Sequence, residues 1–264
     1  MKLSLHNEFF FQLIALLAAF VVVHAIYIGV IRPNAEILLA AQAVALAAGE
    51  TVTTERSFWV VLKDFEQEAC FVLAFWSIAI MAYKTKRLSA EKRLLSEPLL
   101  QVPSGTRILP EDARSLTRTL EGLPVEKLDY LLPRALQGAL QRLESSAGVQ
   151  EVSGAVKDIC DDESQRLDTE LAMIRYITWA IPSIGFIGTV RGIGSALANA
   201  HEAVAGNIAG VTASLGVAFN STFIALLISL FIMFLSHQLT LHQERLVLDA
   251  QKYCEKNLVR HLQV

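Results

Sequence analysis

Four apolar segments dominate this sequence and restrict it to the folds that a lipid bilayer allows. A helix needs about 20 apolar residues to cross a hydrocarbon core of roughly 30 Å. With 53% of its residues hydrophobic and 19% charged, the chain is predicted to be an all-α, polytopic membrane protein with four transmembrane helices. The apolar segments cover residues 9–31, 69–83, 174–200 and 207–236.

The first two segments differ in length and in how they end. The first permits a second interpretation as a cleaved secretory signal peptide of residues 1–25, because Val23-His24-Ala25 resembles a cleavage site. Its apolar run continues unbroken, so a transmembrane helix that ends at Arg32-Pro33 is favoured. The second segment is short, and its helix is expected to begin earlier and to include Glu66 and Glu68.

The distribution of basic residues predicts the orientation. A cluster of basic residues follows the second apolar segment, and such clusters stay on the cytoplasmic side. The segment 32–64 has few basic residues and is assigned to the extracytoplasmic side. Basic residues also lie outside both ends of the last two segments, so both termini are predicted to be cytoplasmic. The residues behind these assignments are Lys84, Lys86, Arg87, Lys92 and Arg93 for the cluster, and Arg175, Arg245 and Lys252 for the outer flanks.

These assignments divide the chain into four parts. Residues 1–83 hold the first transmembrane pair, 84–173 a cytoplasmic helical region, 174–236 a transmembrane hairpin and 237–264 an amphipathic cytoplasmic tail. Leu239, Leu246 and Tyr253 recur every seven residues in the tail, which favours a packing stripe over a dedicated binding helix.

Several classes of function find no support in the sequence. The net charge of −3 gives no reason to expect a nucleic-acid partner. Cys70, Cys160 and Cys254 stand far apart and are interpreted as unpaired structural residues. No catalytic triad, phosphate-binding loop or metal-ligand cluster stands out, so we expect neither an enzyme nor a bound cofactor or metal.

Small residues mark one face of the third apolar segment. Gly185, Gly188 and Gly192 are spaced at i, i+3 and i+7, and small residues allow membrane helices to approach closely. They are therefore predicted to form a tight helix contact.

Polar residues of the hairpin fall at matched positions. When the hairpin is folded about the point between residues 205 and 206, Thr189 pairs in depth with Thr222, and Arg191 pairs with Asn220. At 100° per residue, the threonine and the arginine or asparagine of each helix point about 200° apart. The small side chains near the face of Thr222 would line a narrow path or seat another helix; they are Ala218, Ala225 and Ser229. Alternatively, each threonine hydroxyl bonds to a carbonyl of its own helix.

Arg191 needs a partner inside the protein, because arginine is always charged and its side chain reaches the headgroups poorly from within the membrane. Asn220 is the first candidate through its amide oxygen, and Glu66 or Glu68 could supply a compensating charge. A structural clamp is favoured over a direct role in ion transfer.

The hairpin resembles the MotA/TolQ/ExbB proton-channel family. The segment "PSIGFIGTVRGI" at 182–193 is similar to the family's glycine-rich Gly-Thr-Val segment, and "AFNSTFIALLISL" at 218–230 is similar to its threonine-bearing last helix. Many relatives carry Ala-Phe-Asp-Thr-Thr in that helix, where this chain has Asn220.

The resemblance implies an oligomeric helical channel in the bacterial inner membrane. Five such subunits would surround a dimer of a single-helix partner of the MotB/TolR/ExbD kind, whose aspartate faces Thr189 and Thr222. Flow of protons, or of sodium ions, would then drive rotation or force. The alternatives are a non-conducting membrane scaffold and a sensor that detects an extracytoplasmic ligand through the segment 32–64.

Overall fold

The fold is described by a computed structural model that covers residues 2–48, 57–100, 106–145 and 148–263. All regular elements in these ranges are helices, and the all-α prediction is confirmed. Four helical stretches are long and apolar enough to cross a membrane, as predicted: Glu8–Ala45, Phe65–Leu94, Val149–Ala198 and Ala209–Leu262. The chain forms two compact units, one of Met1–Met81 with Met173–Ser236 and one of Ala82–Ala172 with His237–Val264.

The first unit begins with a helix that passes through a proline. Helix α1 (Lys2–Ile26) is followed by a π-helical turn (Tyr27–Ile31) and by α2 (Arg32–Ala47). Pro33 cannot donate a backbone hydrogen bond, and its ring crowds the preceding turn. The wider π turn accommodates it. The prediction that the helix ends at Arg32-Pro33 was therefore wrong. Within the predicted extracytoplasmic segment 32–64, residues 32–47 are helical, and residues 49–56 lie outside the described ranges.

Five further helices lie wholly or partly in the first unit. The short α3 (Phe58–Leu62) precedes α4 (Phe65–Leu94), which starts early enough to include Glu66 and Glu68, as predicted. The hairpin consists of α9 (Ala172–Ala198) and α11 (Ala209–Cys254), with the short α10 (Ala200–Val204) between them. A small apolar core joins α1, the π turn, α3 and α4; its buried members are Val23, Tyr27, Ile31, Leu62 and Val72.

The second unit is a helical bundle with its own core. It contains α5 (Ala113–Glu121), α6 (Val125–Leu128), α7 (Leu131–Ser145) and α8 (Val149–Glu170), and α7 packs against both α5 and α8. Apolar residues of α7 recur at helical spacing and are buried, Leu136 and Leu140 completely.

The carboxyl-terminal tail belongs to this second unit. Helix α11 runs without a break into it, and a second π turn (Glu255–Val259) and α12 (Arg260–Gln263) follow. Leu239 and Leu246 are buried and Tyr253 is half-buried, which fits the packing stripe. The three cysteines are free and buried.

A buried carboxylate holds two helices of the second unit together. Glu163 of α8 is 1% exposed and accepts hydrogen bonds from Arg134 at 2.6 Å and Arg166 at 2.5 Å. Both arginines reach solvent, so Glu163→Ala is expected to lower the free energy of unfolding by about 1–2 kcal/mol. Glu144→Ala, which removes an exposed partner of Arg114, should change it by less than about 0.5 kcal/mol. Thermal unfolding of the two purified variants gives their midpoints. Equal midpoints would contradict a stabilising role for the hydrogen bonds of Glu163.

Candidate functional site

The glycine face of α9 lies directly against α11. A Cβ atom at Gly192 would lie 2.6 Å from the backbone nitrogen and 2.8 Å from the Cα atom of Ala218. A Cβ atom at Gly185 would lie 2.5 Å from that of Ala225, and one at Gly188 would collide with Ser221. Only glycine permits this separation, because any larger residue would force the two helices apart.

The small residues predicted to line a path are covered by α9 of the same chain. Ala218 is 1% exposed and Ala225 is fully buried, each facing a glycine of α9. Ser229 is also buried and donates a hydrogen bond to the carbonyl of Thr178 at 3.0 Å. Within the single chain this strip seats another helix and is not an open path, because the glycines leave room for α9 to cover it.

Thr189 and Thr222 meet across the hairpin. Their hydroxyl groups form a hydrogen bond with each other. Thr222 Oγ1 also lies 3.1 Å from the carbonyl oxygen of Gly185, and Thr189 Oγ1 lies 3.2 Å from that of Ala218. Thr189 has a further contact within its own helix, to Gly185 at 3.3 Å, so the local and the cross-helix arrangements coexist. Both threonines are half-buried, which leaves one side of the pair open to another molecule.

Arg191 forms a two-pronged ion pair with the start of α4. Its Nε atom lies 2.7 Å from Oε1 of Glu66, and one terminal nitrogen lies 2.8 Å from Oε2. Asp64 is a more distant second partner at 3.7 Å. Burial raises the pKa of the Asp64 carboxyl, which Lys63 and Arg191 counteract. The parallel pairing fixes the guanidinium plane as well as its charge.

The amide partner predicted for Arg191 is not used. Asn220 is half-buried, and among the described residues Arg191 bonds to carboxylates and not to Asn220. A carboxylate compensates the charge, whereas an amide offers only a dipole. Glu68, the other predicted carboxylate, lies in a separate cluster.

That separate cluster joins α1, α2 and α4. Glu68 accepts a hydrogen bond from Arg32 and lies 2.6 Å from Nδ1 of His24. The guanidinium carbon of Arg32 lies 4.3 Å from the ring centre of Phe65, within the range of a cation–π contact. Sequence analysis did not assign His24 and Arg32 to this cluster. The available signal was the presence of ionisable groups along an apolar helix, which need partners.

Comparison with known proteins identifies the region that carries the hairpin. Residues 127–252 match the sequence model described as the MotA/TolQ/ExbB proton channel family. This region is therefore similar to a MotA/TolQ/ExbB proton channel family domain. Neither the curated proteins nor the solved structures include a significant match to the chain.

The MotA/TolQ/ExbB domain extends beyond the hairpin, from α6 through most of α11. Thr189, Thr222 and Arg191 lie inside it, whereas Glu66 and Asp64 lie outside. The matched region therefore contains the threonine pair but not the carboxylates that neutralise Arg191. Those carboxylates come from the amino-terminal part of the chain.

Proposed function

We propose that this membrane protein is the proton channel subunit of an energy-transducing stator complex. The observation that supports this most directly is the Thr189–Thr222 pair, two hydroxyl groups on the hairpin that keep one side open. Hydroxyl groups both donate and accept hydrogen bonds, so the pair suits a neighbouring group whose charge changes during proton transfer. Membership of the matched region in the family supports the same assignment.

The titratable group has to come from another chain. Residues 172–198 and 209–236 contain no aspartate or glutamate, and Glu66 is neutralised by Arg191. We propose five copies of this subunit around a dimer of a single-helix MotB/TolR/ExbD-like protein whose aspartate approaches the threonine pair. One proton crossing 100 mV releases about 2.3 kcal/mol, which is several times RT and sufficient to bias a conformational step.

The proposed setting is the bacterial inner membrane with both termini in the cytoplasm. The basic cluster after the second apolar segment and the basic flanks of the hairpin support this orientation. The helical bundle of the second unit would then be cytoplasmic. We propose that the transported ion is the proton. In the alternative in which sodium is transported, the same two hydroxyl groups would contact the sodium ion.

Replacement of both threonines tests the proposal. Thr189→Val with Thr222→Val keeps the shape of the side chains but removes both hydroxyl groups. In proteoliposomes that contain the complex purified with its native single-helix partner, proton uptake driven by a membrane potential should fall at least about tenfold, the effect of losing about 1.4 kcal/mol of barrier stabilisation. Size-exclusion chromatography should show that the oligomer remains assembled.

The matched control changes two other threonines of the hairpin. Thr178 and Thr212 each donate a hydrogen bond to the carbonyl four residues earlier in the chain, that of Ile174 and that of Ile208, so Thr178→Val with Thr212→Val should leave proton uptake unchanged. Undiminished uptake in the Thr189/Thr222 variant would contradict the proposed role of the pair. A native complex that conducts no ions would favour the scaffold alternative.

A further inference from the structure

A cavity of about 560 Å³ lies in the second unit. Its wall combines the end of α4, the loop that follows and the last turns of the tail. Tyr253 fixes this wall, because its hydroxyl oxygen accepts a hydrogen bond from the backbone nitrogen of Leu99 at 2.9 Å and donates one to the carbonyl of Glu97 at 3.3 Å. The cavity is therefore built from segments distant in sequence and held in place by specific bonds.

Three lysines line this cavity without carboxylate partners. They are Lys92, Lys252 and Lys256, and in the described part of the chain none has a carboxylate oxygen within 4.0 Å. The wall contains two acidic residues. Glu97 lies 3.7 Å from Lys127, which leaves Asp249 as the other negative charge in the wall. The cavity thus carries an excess of positive charge.

A second cavity of about 480 Å³ shares the same lysines. Lys252 and Lys256 line both cavities, and Arg260 and Glu255 line the second. Lys252, Lys256 and Arg260 follow one another at intervals of four residues. Like charges at this spacing along a helix repel each other. The fold therefore maintains a row of cations that no described carboxylate oxygen approaches within 4.0 Å.

The row of cations spans the π turn at Glu255–Val259, with Lys256 inside it and Lys252 and Arg260 on either side. Such turns interrupt the regular ladder of backbone hydrogen bonds and are frequent at functional sites. The side-chain amide of Asn257, which lines the first cavity, donates a hydrogen bond to the carbonyl of Tyr253 at 3.0 Å. The irregular turn is thus stabilised by a residue of the cavity itself.

We infer that the two cavities form a binding site for a phosphate-bearing anion, with Lys252 and Lys256 as its central contacts. Lysine binds phosphate as a mobile point charge, and an anion between the two ammonium groups would remove their repulsion. The phosphate can belong to a soluble molecule, such as a nucleotide, or to the headgroup of an acidic lipid. This site is independent of the proposed ion path, since it uses none of its residues.

Titration of the full-length protein tests the inference. The protein is placed in nanodiscs of neutral phosphatidylcholine and titrated with inorganic pyrophosphate and with ATP by isothermal calorimetry. Lys252→Gln with Lys256→Gln should weaken binding at least about tenfold, since each charge-assisted contact contributes 1.4 kcal/mol or more. The control is Arg118→Gln with Arg142→Gln, which removes two exposed charges of the same unit that line neither cavity and should change affinity less than about twofold.

A second set of nanodiscs distinguishes the two sources of phosphate. If lipid headgroups occupy the site, phosphatidylglycerol should compete with pyrophosphate in the native protein and in the arginine control, and native mass spectrometry should show fewer retained lipids for the lysine variant. If a soluble ligand occupies it, retained lipids should be equal in all variants. Absence of both pyrophosphate or ATP binding and lysine-dependent lipid retention would overturn the inference, as would equal weakening by the arginine control.

Discussion

Glu66→Ala is expected to destabilise the folded protein by about 2 kcal/mol, because it leaves the half-exposed guanidinium of Arg191 without its main partner. The native pair has contacts of 2.7 and 2.8 Å, and Asp64 at 3.7 Å is too distant to replace them. Unfolding of the purified protein by sodium dodecyl sulfate in mixed micelles gives the change in free energy.

Removal of both charges distinguishes this effect from a loss of packing. The double variant Glu66→Gln with Arg191→Met removes both charges of the pair and leaves only Asp64, and it should recover most of the stability that Glu66→Ala loses. The complete double-mutant cycle gives the coupling free energy, expected at about 2–3 kcal/mol. A coupling energy near zero would mean that the contact seen here does not stabilise the fold.

Gly192→Ala should separate the two helices of the hairpin. The new Cβ atom would lie 2.6 Å from the backbone nitrogen of Ala218 and 2.8 Å from its Cα atom, and backbone atoms cannot move aside as the end of a side chain can. Overpacking of this kind costs about 1–3 kcal/mol, and the upper value is expected here. The thermal midpoint of the purified protein in detergent should fall accordingly.

Gly194 provides the matched control two residues away on the same helix. A Cβ atom at Gly194 would have no other atom within 4 Å, so Gly194→Ala should be neutral or slightly stabilising, since alanine favours helix more than glycine does. Equal losses at Gly192 and Gly194 would show that the effect comes from helix propensity and not from contact with α11.

The sequence predicted the helical segments well because apolar length is set by the membrane and does not depend on tertiary contacts. It failed at Pro33, where the usual rule that proline ends a helix competes with the ability of a π turn to absorb it. The turn at Tyr27–Ile31 has no signature in residue type. Tertiary packing against α3 and α4 stabilises it, and such packing is not readable from local sequence.

For the candidate site, folding the sequence about the midpoint of the hairpin predicted the matched threonines, because two antiparallel helices joined by a short loop have a nearly fixed register. The same reasoning assigned Asn220 to Arg191, and there it was wrong. The register considers the hairpin alone. The need of Arg191 for a compensating charge had separately indicated Glu66 or Glu68, and the structure pairs it with Glu66 of α4, more than a hundred residues earlier in the chain. Charge compensation between distant segments depends on how helices assemble, which the spacing within one hairpin does not specify.

The threonine pair has fewer hydroxyl hydrogens than acceptor oxygens, and this allows two alternative hydrogen-bond arrangements. Two hydroxyl hydrogens face the carbonyl oxygens of Gly185 and Ala218 and each other's oxygen. Either Thr189 donates to Thr222 while Thr222 donates to Gly185, or Thr222 donates to Thr189 while Thr189 donates to a carbonyl. Both hydrogens are satisfied in each state, and rotation of two hydroxyl groups exchanges them without movement of a helix. The direction of the hydrogen bond between the two threonines can therefore reverse while the helices stay in place.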